Sequence, residues 1–108
     1  MKRCLALLAL VCACQAQATT KTVTLSCAVA YMPARSTWVR EVQLSWYGDT
    51  LASVQIDGLS PHSFSVDGER MATAIDNERI QIDLRLLQWT SDFRAQASGQ
   101  GRCDREGG

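Results

Sequence analysis

The chain has 108 residues, with eleven basic and eleven acidic side chains and 46% hydrophobic content. That length accommodates one domain. A balanced charge with no basic run excludes the electrostatic footprint of a nucleic-acid-binding protein and the polybasic patch that docks on anionic lipid.

Lys2 and Arg3 open an apolar run, Leu5 to Ala13, of about nine residues, the length of a signal-peptide h-region and short of the roughly 20 residues of a membrane span. Ala16-Gln17-Ala18 supplies small residues for a cut before Thr19. A second layout, Val11-Cys12-Ala13-Cys14, places a lipoprotein-type cut before a lipid-bearing Cys14. The expected organisation is a signal peptide over 1–18 and one small domain over 19–108. The first cut delivers that domain to the periplasm or the exterior; the second tethers it to an envelope membrane.

Cleavage before Thr19 removes Cys4, Cys12 and Cys14 and leaves Cys27 and Cys103. Exported chains meet an oxidising compartment, so this pair is expected to form a disulfide, closing a loop of about 75 residues. Without Lys2 and Arg3, nine basic residues face eleven acidic ones, a charge of −2.

The dominant period along the remaining chain is two, the signature of half-buried strands. Val23, Leu25, Cys27, Val29 and Tyr31 share one face of a first strand, and Pro33 and Ser36 break it. From Trp38 to Tyr47, Val42, Leu44 and Trp46 alternate with Glu41, Gln43 and Ser45, and Gly48-Asp49 turns the chain. Ala52, Val54 and Ile56 define a third strand, closed by Asp57-Gly58 and followed by the loop Ser60-Pro61-His62. Phe64 and Val66 form a short strand, stopped by Asp67-Gly68, a strong hairpin signal. Met71 to Ile75, then Ile80 through Leu86, then Trp89, Ser91 and Phe93 supply three more. Ala95 to Gly101 reads as a small-residue loop or an irregular edge leading to Cys103, and 104–108 as a fraying polar tail. About seven short strands and no helix predict an all-β fold, an antiparallel meander closing into a barrel or sandwich with one disulfide.

Few residues carry chemistry. His62, the single histidine, lies on a loop with no partners in sequence that make a triad. The acidic turns at Asp67-Gly68-Glu69 and Asp76-Asn77-Glu78 lack the oxygen density of a calcium loop, so no metal, cofactor or enzymatic activity is expected. The candidate partner-binding residues are Trp38, beside Arg35 and Arg40, and Arg94, Ser98 and Arg102 in the small-residue loop. Aromatic and arginine side chains dominate binding hot spots, and small residues admit close backbone approach.

A cysteine in the first strand, within Leu25-Ser26-Cys27, set against one near the C-terminus, within Gly101-Arg102-Cys103, resembles the layout of the small exported lysozyme inhibitors of bacteria. That family includes the membrane-bound inhibitor of c-type lysozyme. The resemblance implies a compact antiparallel barrel that blocks a basic wall-degrading enzyme with a loop. The family's loop carries a Ser-Gly pair followed by a tyrosine in mid-chain; the only Ser-Gly pair here is Ser98-Gly99. The expected function is thus a non-catalytic envelope binding module, with a hydrolase inhibitor as its specific form. The alternatives are a small-ligand carrier whose mouth is lined by Trp38 or Tyr47, and a lipoprotein with a structural or adhesive role.

Overall fold

The computed structural model describes residues 19–94 and 96–106, so the leader, Cys14, Ala95, Gly107 and Gly108 lie outside the described residues. Alternating apolar side chains give one face to bury and one to solvate, and eight strands result. In chain order they are β1 (Thr20–Met32), β2 (Ser36–Tyr47), β3 (Thr50–Ile56), β4 (Phe64–Asp67), β5 (Arg70–Ile75), β6 (Glu78–Asp83), β7 (Gln88–Asp92) and β8 (Ser98–Arg105). No helix occurs among the described residues.

The sheet order is β3-β2-β1-β8-β7-β6-β5-β4, with antiparallel pairing throughout. Two meanders, β1 to β3 and β4 to β8, are therefore joined through their first and last strands. The sheet curls into a nearly closed barrel, and β3 and β4 end it at a seam that no ladder spans. Leu25, Val29, Val42, Leu44, Val54, Ile56, Met71, Ile80, Ile82 and Trp89 fill the interior. Burying each side chain of this size contributes roughly 1.5–3 kcal/mol. Cys27 and Cys103 face each other in the β1–β8 ladder and are bonded, 76 residues apart in sequence.

Four local readings are corrected. The small-residue stretch, read as a loop or an irregular edge, is from Ser98 onward an inner strand: Ser98 to Arg102 pairs with β1 on one side and β7 on the other. The glycines serve the barrel rather than an incoming partner. A Cβ on Gly99 would lie 2.6 Å from Ser91 Oγ and 2.7 Å from Tyr31 Cε1, and one on Gly101 would overlap the Ala28 carbonyl oxygen. Gly101→Ala is expected to cost about 1–3 kcal/mol through overpacking. It should cost more than Gly99→Ala, because a serine hydroxyl and a tyrosine ring can shift while the β1 backbone cannot. Urea midpoints rank the two variants, and equal midpoints would count against this account of β8.

In β3, Ala52 is exposed and Leu51 is buried. The register shifts between Ser45 and Trp46, which pair with Ser53 and Leu51. Ala52 is the extra residue of a β-bulge, and the inward face changes parity there. The strand through Ile80 and Ile82 ends at Asp83 rather than continuing to Leu86. Asp83 Oδ1 accepts the main-chain N–H groups of Arg85 at 2.9 Å and Leu86 at 2.8 Å, turning the chain and leaving Leu86 exposed. The Leu86 N–H is the main reason the Asp83 carboxyl lies below its ordinary value. Finally, Asp104 and Arg105 belong to β8, and the Glu106 N–H donates to the Thr24 carbonyl at 2.9 Å, so the expected tail is shortened by these residues.

Candidate functional site

β1, β3, β5 and β7 finish at one end of the barrel, here called the upper rim. The Pro33–Arg35 loop, the 57–63 segment, the Asp76-Asn77 turn and the loop at Arg94 crowd it. Asp76 and Asn77 both take positive φ, 50° and 68°, the geometry of a two-residue hairpin turn whose twist suits its strands.

Arg40 organises this end. It stands opposite Cys27 in the ladder, hence on the same inward face as Val42 and Leu44. A cation on an apolar face needs partners, and Arg40 has several. Its Nη1 donates to Glu78 Oε1 at 2.7 Å and to the Tyr31 hydroxyl, and its Nε donates to Asp57 Oδ2 at 2.6 Å. The Tyr31 hydroxyl in turn donates to Glu78 Oε2 at 2.7 Å. The guanidinium carbon lies 5.1 Å from the centre of the Trp89 ring, in cation–π range. The Glu78 side chain is 4% exposed and that of Arg40 15%. Burial disfavours the guanidinium charge, but hydrogen bonds to Glu78 and Asp57 outweigh it and hold Arg40 protonated above its ordinary value.

Burial, followed by the hydrogen bond to Glu78, pushes the Tyr31 phenol from 10.0 up to about 12. An unfolded tyrosine ionises near pH 10, so the folded protein holds this proton longer. Stability therefore falls as the pH rises from about 10 through about 12. Tyr31→Phe is expected to flatten that slope when urea midpoints are followed across this window. A slope identical to that of the unaltered protein would assign it to other groups.

Beside the network runs an open groove of about 780 Å³, lined by Leu59, Pro61, His62, Ile75, Asn77 and Arg94 among others. Arg94 Nη2 reaches Asn77 Oδ1 at 3.5 Å. Among the described residues, no group of three or more His, Cys, Asp or Glu side chains is placed to hold a metal ion.

The residues singled out from the sequence fall in different places. Trp38 stands opposite the buried Val29, an inward-facing position, yet is 63% exposed. β3 ends opposite Val42 and leaves this stretch of β2 uncovered. Tyr47 is exposed at the opposite end of β2. Arg94 lies on the upper rim and Ser98 opens β8 there. Arg102 sits four residues along β8, about 13 Å away at 3.3 Å per residue, opposite Ala28 and Gln88. Arg94, Ser98 and Arg102 thus do not share one loop. The groups that sequence reasoning missed are Tyr31, Arg40, Asp57 and Glu78. Arg40 left a signal: its parity with Val42 and Leu44 places a charge on a buried face.

No family model, curated protein or solved structure matches the chain.

Proposed function

We propose that the protein is an exported, non-catalytic binding module of the bacterial envelope that engages a partner protein through its upper rim. The observation that carries this reading is the exposure, toward one end of the barrel, of a tryptophan, Trp38, together with an open groove lined by the exposed Leu59 and the cationic Arg94. Aromatic anchors with an arginine neighbour are typical of protein hot spots, and the Arg40 network gives them a fixed base. An interior occupied by packed side chains favours a rim binder over a carrier that encloses its ligand. The charge of −2 left after the leader suits a basic partner. A basic wall-degrading hydrolase is the partner class that also fits the sequence layout.

The test is titration of the exported, disulfide-bonded protein against a panel of lysozymes, with turnover and direct binding read in parallel. Inhibition by micromolar protein is expected, weakened at least tenfold by Trp38→Ala and by Arg94→Ala. Unchanged turnover across the panel would remove the inhibitor reading. A captured envelope partner that binds both variants as well as the unaltered protein would remove the rim as the interface.

A further inference from the structure

The seam divides the barrel into two lobes, β1 to β3 and β4 to β8. Besides the packed interior they share, three connections join them. The β1–β8 ladder with its disulfide lies inside the sheet, with three strands on one side of the junction and five on the other. The 57–63 segment tethers the upper ends. The third connection is the cluster in which Arg40 on β2 and Tyr31 on β1 bond to Glu78 on β6, with the Trp89 ring of β7 beside the guanidinium. Among the described residues there are four ion pairs. Arg40–Asp57, Arg79–Asp92 and Arg85–Glu69 each join adjacent strands or the turns at their ends. Arg40–Glu78 joins strands that are not neighbours in the sheet, reaching across the barrel's interior.

We propose that the barrel opens along the β3/β4 seam, hinged at the stapled β1–β8 pair, and that Tyr31, Arg40 and Glu78 form the latch that holds it shut. The inference rests on the fold alone and stands whatever the partner is.

Three observations support it. First, no ladder bond crosses the seam. The N–H and C=O of Ile56 bond to Leu59 and so point away from β2. By the alternation of an antiparallel ladder, the main-chain groups of Val54 face the same open edge. Parting the lobes therefore breaks no main-chain hydrogen bond between β3 and β4. Second, the seam is incompletely covered: Val66 stands opposite the buried Met71 on the inward face of β4, yet is 45% exposed. Third, the latch is asymmetric. Asp57 and Tyr31 belong to the same lobe as Arg40, so the guanidinium keeps a carboxylate and a hydroxyl when the lobes part. Glu78 exchanges both its side-chain partners for water, regaining hydration that lowers the cost, while Arg40 leaves the Trp89 ring and Tyr31 its acceptor. Anything at the rim that competes for Arg40 or Glu78 then loosens the wall below it.

Pulsed thiol labelling as a function of denaturant tests this on the exported, disulfide-bonded protein carrying one added cysteine, Val54→Cys on β3 or Met71→Cys on β5, because parting the lobes exposes these buried side chains while each lobe keeps its own ladders. The two sites are expected to share one opening, with a denaturant slope below that of global unfolding. Glu78→Gln should speed labelling at least tenfold at both sites together. Glu78→Asp, which keeps the charge but shortens the reach, supplies the same reading if the glutamine variant does not fold. A slope equal to that of global unfolding at both sites would overturn the proposal. So would a response to the substitutions confined to one site, which is fraying of one lobe, or no response at all.

Discussion

Replacing Cys27 and Cys103 together by alanine is expected to lower the stability of the domain by about 4–5 kcal/mol. The bond closes a loop spanning 76 residues, and the chain-entropy relation gives roughly that stabilisation for such a loop. Small domains have total stabilities of about 5–15 kcal/mol, so the loss is a large share of what holds this one folded. At about 4–8 °C per kcal/mol for a domain of this size, the midpoint of thermal unfolding should fall by roughly 16–40 °C. The position of the bond strengthens the expectation. It lies in the β1–β8 ladder, the pairing that makes one sheet of two meanders. Thermal unfolding followed by circular dichroism, on the double variant and on the reduced protein, measures the effect. A shift of only a few degrees would mean that the ladder alone suffices.

The second large effect concerns Arg40. Arg40→Met leaves the Glu78 carboxylate buried without its cation and removes the guanidinium from above Trp89. Breaking a buried pair by deleting one partner costs about 3–5 kcal/mol. Replacing both partners by apolar groups of similar volume is far less damaging, since no uncompensated charge remains. The double variant Arg40→Met/Glu78→Leu should therefore recover most of the loss from Arg40→Met alone. A double-mutant cycle on chemical-denaturation free energies reads the coupling directly. Additive losses would show that the two side chains stabilise the fold separately.

Much of this architecture was legible in the sequence because a period of two survives in most of its strands. Leu25, Cys27 and Val29 announce the inner face of β1, and Ile80 and Ile82 that of β6. β8 was illegible for a physical reason. Its inward positions are Gly99, Gly101 and Cys103, and the space that larger side chains would fill belongs to the Tyr31 ring and the β1 backbone. A strand that contributes space rather than bulk carries no hydrophobic alternation. The Ala52 bulge was hidden likewise, because a one-residue insertion shows only once its partner strand is known. Leu84 and Leu86 continue the alternation of β6, but Asp83 captures the following N–H groups and ends the strand first. Of the proposed site, Trp38 and Arg94 stood out in the sequence, whereas the network at Arg40 did not. Arg40 and Glu78 are 38 residues apart and meet only because the sheet curls. Sequence spacing does not encode that meeting, although a charge in phase with Val42 and Leu44 already required a partner.

The sheet order also changes what the 57–63 segment is. Every other connection in the chain joins strands that lie side by side; this one joins the two outer edges of the sheet. A single proteolytic nick there would cut the polypeptide without removing any strand from its ladder, and the disulfide would keep both fragments, one carrying β1 to β3 and the other β4 to β8, in one covalent molecule. The protein is in this sense a two-chain heterodimer that happens to be translated as one.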